Sequence, residues 1–357
     1  MSFAGRFVDK VGTKIGFSVS IFVWSIAAMG HALVKSAFGF GVARASLGLG
    51  ESGNFPASIK SVAEWFPKKE RALATGLFNS GANIGAVVVP LVVPWIALTW
   101  GWREAFIFTG SLGFIWLVFW LWLYELPERH KRISGKEMEY IRSDREEIST
   151  EQIPWLSLLK YRQTWSFIVG KSLIDPFWWF YLYWLPKFLS DRYGLDLAHV
   201  GLPLIVIYTM TSIGSIGGGW LSGALIKSGW DINKGRKTVM LVCAVLIIPI
   251  VFASNVPEWW AVFLLGLATA AHQGWSANLF TTVSDMFPKK AVGSVIGIGG
   301  MAGSLAGMLF ATATGYILQI TGSYTSLFVM AGSAYVLTLL FFHLLVPKIE
   351  TIEMRIK

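Results

Sequence analysis

Apolar residues run along this chain in long blocks, separated by short polar or basic turns. At a rise of about 1.5 Å per residue, a helix of about 20 residues crosses the roughly 30 Å hydrocarbon core of a bilayer. Ten blocks are long enough: 16–34, 40–65, 71–98, 104–124, 164–189, 199–226, 238–254, 258–286, 291–319 and 324–346. A membrane strand needs only about 10 residues of alternating polarity, so the length of these blocks predicts helices rather than a barrel. The pattern has one long charged break. It divides the chain into a first lobe over 1–124, a linker over 125–162 and a second lobe over 163–357. Within the linker, Ser134 followed by Glu137 has the spacing of a capping box. A short solvated helix without a catalytic role is expected there.

One segment occurs twice. ESGNFPASIKSVAEWFPKK, residues 51–69, returns 221 positions later as HQGWSANLFTTVSDMFPKK, with Phe66-Pro67-Lys68-Lys69 falling on Phe287-Pro288-Lys289-Lys290. In both places a long apolar helix ends at a basic turn and a Gly-rich apolar helix follows. Parallel repetition of whole helix sets is how one class of membrane protein builds two lobes around a central site. The expected architecture is therefore an all-α integral membrane bundle of two lobes and about ten spanning helices, four plus six.

Composition agrees with that solvent. The chain is 54% hydrophobic and only 14% charged, with a mean hydropathy of +0.57, too apolar for a water-soluble globule of 357 residues. A net charge of +9 could indicate nucleic acid, but the basic residues are sorted by loop. With the N-terminus in the cytoplasm, 23 Lys and Arg fall in cytoplasmic loops and tails, and only Lys35, Arg103, Lys187 and Arg192 fall outside. The positive-inside rule then places both termini in the cytoplasm. The single cysteine, Cys243, excludes an internal disulfide. Met1 leads directly into a polar loop, so no cleavable signal peptide is read.

Gly5-Arg6-Phe7-Val8-Asp9-Lys10-Val11-Gly12-Thr13-Lys14 resembles the loop between the second and third helices of the major facilitator superfamily. The stretch from Arg44-Ala45-Ser46 through Gly50-Glu51 and on to Glu64-Trp65-Phe66-Pro67-Lys68-Lys69-Glu70-Arg71, followed by Gly101-Trp102-Arg103, makes the likeness specific. It resembles the anion:cation symporter family, and within it the bacterial hexuronate, galactonate and glucarate transporters; Asp175-Pro176-Phe177-Trp178 and Ala271-His272-Gln273 add to it. That family has twelve helices, whereas this chain starts at the loop after the second. The resemblance implies that two helices precede the region it covers, and that transport by residues 1–357 alone needs testing. It further implies that Arg44 is the substrate-linked cation and Glu51 the proton-linked carboxylate.

The residues support a site independently. Arg44 and Glu51 lie seven residues apart on one expected helix, and a charge within a membrane helix costs about 2.5–3.5 kcal/mol on insertion scales. A structural ion pair or snorkelling to the headgroups is the alternative. His272 recurs at the position of Glu51. Asn54, Asn79 and Asn83 in the first lobe, with Gln273 and Asn278 in the second, offer the amides a polyol requires, although interhelical amides also serve as packing glue. Lys171 and Asp175 are one turn apart, and Pro176 next to Asp175 suggests a gate hinge, with mutual pairing of the two charges as the alternative. Asp175 is a second proton-coupling candidate. Trp178 and Trp179 form a candidate sugar-stacking wall or part of an aromatic belt, and Tyr208 is a further candidate. Gly5, Asp9, Lys10, Gly12 and Lys14 read as a conformational latch rather than a phosphate cradle, because Asp9 would repel phosphate.

No metal site, organic cofactor or nucleic-acid partner is expected, and no enzymatic motif is present. The expected function is proton-coupled import of a hexuronate or related sugar acid, with sodium as the alternative coupling ion, by a lipid-embedded monomer in the bacterial cytoplasmic (inner) membrane. An organic-anion exporter or antiporter, or a non-transporting fragment or sensor, remain the alternatives.

Overall fold

The computed structural model describes residues 2–143, 155–196 and 199–352. Its helices are α1 (Ser2–Val11), α2 (Thr13–Gly30), α3 (Ala37–Glu51), α4 (Asn54–Trp65), α5 (Lys68–Thr99), α6 (Trp102–Leu123) and α7 (Gly135–Ile141). The second half holds α8 (Arg162–Tyr193), α9 (Gly201–Lys227), α10 (Ile232–Ile247), α11 (Glu258–Met286), α12 (Lys289–Thr321) and α13 (Thr325–Leu345). Among the described residues there is no strand. Six helical segments are long and apolar enough to cross a membrane by length and composition: Thr13–Leu33, Trp102–Leu123, Gly201–Lys227, Ile232–Asn255, Lys289–Thr321 and Thr325–Leu345. The expectation of ten is thus met for six by that measure; α5, α8 and α11 are as long but do not reach it.

Local chemistry sets the boundaries. Ser36, Ser134 and Asp231 cap their helices by accepting from Gly39 N (3.1 Å), Glu137 N (3.2 Å) and Lys234 N (3.4 Å). The short linker helix α7 therefore starts at the expected capping serine. Gly194 (φ +72) and Gly322 (φ +62) end α8 and α12 in the left-handed conformation that favours glycine. Two expectations fail. The block 40–65 is broken at Ser52-Gly53, separating α3 from α4. There the Ser20 hydroxyl presses on Gly53 and the Trp24 backbone on Gly50, so α2 approaches too closely for a straight helix lined with larger residues. Conversely, α8 runs unbroken through Pro176 and Pro186, so Pro176 makes no unwound hinge. Neighbouring helices pack on both sides of it, which lets a membrane helix tolerate a proline.

Following the order of the sequence repeat, α2–α6 are called the first lobe and α8–α13 the second; α1 packs across on α12. The main interface pairs α5 with α9. Backbones meet there because glycines supply no Cβ: Gly76 lies on Ser215 and Gly219 on Ala72, and Gly5 of α1 lies likewise on Gly293 of α12. The larger buried core belongs to the second lobe, around Phe167, Tyr181, Trp275 and Tyr335. The first lobe has a small one of Val8, Phe17, Ile21 and Ala57. Exposed Leu, Ile, Phe and Trp cover α6 and the outward faces of α10 and α13. Such a surface suits a hydrocarbon solvent.

Candidate functional site

Both copies of the repeated Phe-Pro-Lys-Lys turn lie at one end of the lobe interface, where the lobes are tied together. Arg236, fully buried, donates to Asp285 (3.0 Å), to Ser222 Oγ (2.8 Å) and, across the interface, to Lys68 O (2.6 Å). Arg71, equally enclosed, donates to Phe66 O (3.0 Å) and across to Ser284 O. Asp9 accepts from Gly293 N (3.2 Å) and Ser294 N (2.6 Å) near the start of α12, where the helix dipole favours an anion, and pairs with Lys60 at 3.1 Å. Burial holds the Asp9 carboxyl above its ordinary range, against the pull of Lys60 and the bonds from Ser294. Glu70 bridges the lobes from the rim, accepting from Lys227 (2.8 Å) while Tyr140 also donates to it (2.8 Å). Partial burial would raise the Glu70 carboxyl, but these hydrogen bonds outweigh it and leave it lowered.

Above this tied end the interface becomes aromatic. Phe55 of α4 stacks on Phe280 of α11, with centroids 5.2 Å apart, and so joins the two lobes. Lys171 Nζ lies 4.3 Å from the other ring contact of that stack, the Phe280 centroid, and pairs with Asp175 at 2.6 Å. Both side chains are largely enclosed, 8% and 16% exposed. Gly303 of α12 lies directly against the Asp175 carboxylate. Deeper in the second lobe, His272 Nδ1 shares a 2.5 Å hydrogen bond with Tyr335 Oη, and Trp178 stacks on the imidazole at 5.2 Å. The arrangement places one cation and one carboxylate, partnered mainly by each other, a single aromatic ring from the opposite lobe.

The residues singled out from the sequence fall into groups. Trp178, His272 and Asp175 lie together on α8 and α11, with Gln273 buried next to His272. Trp179 points instead at Gly307 and stacks on Tyr183 at 5.8 Å. Asn278 spends its Nδ2 on Gly218 O (3.0 Å) and Gly274 O (2.9 Å), bracing α9 against α11. Tyr208 is buried on α9. Asn54 accepts from Ser58 Oγ at 3.4 Å and, like buried Asn79, lines a cavity inside the first lobe. The Asn83 side chain lies outside the described residues. Arg44 and Glu51 are exposed on α3, which packs against α2 and the 31–33 turn, and the structure does not bring them to Lys171 and Asp175. Of the latch residues, Gly5 and Asp9 touch α12, and Gly12 (φ +88) makes the turn into α2. Lys10 is exposed, and Lys14 pairs with Glu125, the first residue of the linker, at 2.8 Å. Lys171 was considered only as a partner of Asp175. Its signal was available: among the basic residues only Arg44, Lys60 and Lys171 lie more than two residues inside an expected span.

The family profile of the Major Facilitator Superfamily matches residues 1–311. The chain belongs to the Major Facilitator Superfamily. It is 34% identical over 326 residues to the hexuronate transporter of Escherichia coli K12, covering 89% of this chain and 75% of that protein. It is 33% identical over 251 residues to the galacturonate transporter of Dickeya chrysanthemi, covering 69% and 72%. Among solved structures it is similar to the proton:xylose symporter XylE (TM-score 0.74, 17% identity, 98% of this chain and 83% of that one). It is also similar to the E. coli fucose:proton symporter FucP (TM-score 0.70, 12% identity, 96% and 86%). This Major Facilitator Superfamily chain is therefore a multi-pass membrane transporter by family, related to hexuronate and other sugar-acid transporters, and not an enzyme.

Proposed function

We propose that this chain moves a hexuronate or closely related sugar acid across the bacterial cytoplasmic membrane together with a proton, by alternating access between its lobes. The observation that carries the reading is the enclosed Lys171–Asp175 pair at 2.6 Å, one aromatic ring from the first lobe and above a tied interface. A substrate carboxylate reaching Lys171 competes with Asp175 for the ammonium. Asp175, losing its counter-charge in an enclosed site, then takes up a proton. Substrate and proton are thereby linked, because neither charge of the pair is left unpaired in a low-dielectric site. Trp178 and Gln273 flank this position and suit a ring with hydroxyl groups.

The distribution of basic residues supports placing the tied end in the cytoplasm, which makes this conformation outward-facing. Release inward then requires separation of Arg236 from Lys68 O, Asp9 from α12 and Glu70 from Lys227. Arg44 and Glu51 enter the proposal as the charged pair of the first lobe. Uptake of labelled galacturonate and glucuronate into proteoliposomes tests the reading. Gradient-driven accumulation is expected to vanish in Asp175→Asn while substrate exchange persists, and Lys171→Ala is expected to lose both. Glu51→Gln in the same assay decides which carboxylate carries the proton. Accumulation that needs no proton gradient would overturn the coupling, and accumulation driven by an outward substrate-for-anion exchange would favour an antiporter.

A further inference from the structure

Where α6 ends and the linker begins, the chain forms a pocket of about 230 Å³ that the transport mechanism does not use. Trp122, Leu123, Glu125, Arg129, Lys131 and Arg132 are among its walls. Its depth in the bilayer follows from α6. Trp116, Trp120 and Tyr124 stack along the helix with centroids 5.1 and 3.9 Å apart, and Trp120 Nε1 donates to Lys14 O at 3.2 Å. Trp122 and Leu123, by contrast, are 70% and 52% exposed and carry the apolar outer surface of α6 to its last turn. An exposed tryptophan at the end of a spanning helix belongs at headgroup level. The pocket therefore opens where hydrocarbon gives way to headgroups. It lies at the tied end of the molecule, because Trp65, just before the first Phe-Pro-Lys-Lys turn, meets Tyr124 at 6.5 Å and His130 at 5.4 Å.

The charge of the pocket is one-sided. Its carboxylate, Glu125, is held by Lys14 at 2.8 Å and feels Arg129 more weakly. Glu128, the next acid along the chain, faces Arg142 at 3.7 Å. Among the described residues, Arg129, Lys131 and Arg132 enter no ion pair. A run of basic residues directly after a spanning helix attracts anionic lipid, and the guanidinium fork matches the oxygens of a phosphate. A soluble phosphate or an acidic protein segment would use these charges alone. A phospholipid also covers Trp122 and Leu123, because its acyl chains lie along the same surface that carries the basic cluster at its end.

We infer that this pocket binds the headgroup of an anionic phospholipid of the phosphatidylglycerol type, with Arg129, Lys131 and Arg132 on its phosphate and its acyl chains along Trp122 and Leu123. The inference needs only that α6 spans a bilayer, and it does not depend on what is transported.

The test titrates the full chain, purified in detergent, with phosphatidylglycerol or with phosphatidylcholine and reads bound lipid by native mass spectrometry. Phosphatidylglycerol is expected to bind well above phosphatidylcholine. The triple variant Arg129→Gln, Lys131→Gln, Arg132→Gln is expected to weaken its tightest binding on the order of 100-fold, which is what three basic residues at a membrane surface contribute. A control triple variant, Lys234→Gln, Lys290→Gln, Lys348→Gln, removes the same charge from the second lobe and is expected to leave that binding unchanged. All six residues are exposed, so both variants are expected to melt with the unmodified chain in lipid-free detergent. Equal binding of the two lipids, retention of phosphatidylglycerol by the first variant, or equal loss in both variants would each overturn the proposal. So would displacement of phosphatidylglycerol by an equimolar amount of glycerol 1-phosphate, which would make the ligand a soluble phosphate.

Discussion

Arg236 and Asp285 are two fully enclosed charges, and the Arg236 guanidinium also donates to Ser222 Oγ and Lys68 O. Removing one partner leaves the other charged in a place that cannot solvate it, at a cost of about 3–5 kcal/mol, while replacing both with apolar residues is often close to neutral. Arg236→Met is therefore expected to lower the unfolding temperature strongly, and Arg236→Met with Asp285→Leu to recover most of the loss in the same thermal melt. An additive double variant would contradict the pairing. Glu70 predicts a pH effect. Its carboxyl is lowered by hydrogen bonds from Lys227 and Tyr140 that overcome partial burial. A group of depressed folded-state value holds the contact fully above its ordinary value of about 4.3 and loses it as pH falls through the lower folded value. Amide protection near Glu70 and Lys227, measured relative to the intrinsic exchange rate at each pH, should therefore fall on acidification below about pH 4 and change little between neutral and mildly acidic conditions. Glu70→Gln should abolish that response.

Helix boundaries show what a sequence can and cannot reveal about such a fold. The repeat located α4 and α11 before the same turn and α5 and α12 after it, because Pro67 and Pro288 act in both places as the residue before a helix. Hydrophobicity alone carried α3 and α4 as one block, since glycines at 50 and 53 are ordinary in packed membrane helices and nothing local announces that Trp24 and Ser20 press on them. Pro176 misled in the opposite direction: the ring forfeits one hydrogen bond, yet α8 is held on both sides by α12 and α13. The glycine contacts of α5 and α9 are testable at this scale. Gly76→Leu would drive a side chain into the Ser215 backbone. Lys68→Cys and Thr351→Cys, at positions joined in the native chain by a Lys68 Nζ to Thr351 Oγ1 hydrogen bond of 2.8 Å, are expected to be bridged by a short bis-maleimide cross-linker in the Cys243→Ala background and to lose that cross-link when Gly76→Leu is added. Persistence of the cross-link would show that α5 and α9 do not govern closure.

Across the whole molecule, two helix sets meet at a surface that is tied at its basic end and aromatic above. Much of this was legible as pattern: the repeat implied paired helix sets, and the basic residues of both Phe-Pro-Lys-Lys turns mark the tied end. The Lys171–Asp175 pair was legible as two charges one turn apart, but its relation to Phe280 and Phe55 joins residues of α8, α11 and α4, and no local spacing encodes it. The same holds for Arg44 and Glu51, whose shared helix face was readable while the exposure of α3 was not. If the lobes rock about the glycine contacts, the charge pair is the point where substrate and proton affect the same equilibrium.

Proton movement on substrate addition tests this claim most directly. With proteoliposomes suspended in weakly buffered medium, addition of unlabelled galacturonate or glucuronate is expected to make the outside medium alkaline as substrate and proton enter together. Asp175→Asn should remove the pH change while leaving exchange of labelled substrate. Entry of labelled sugar acid with no change in external pH would contradict proton coupling through this site.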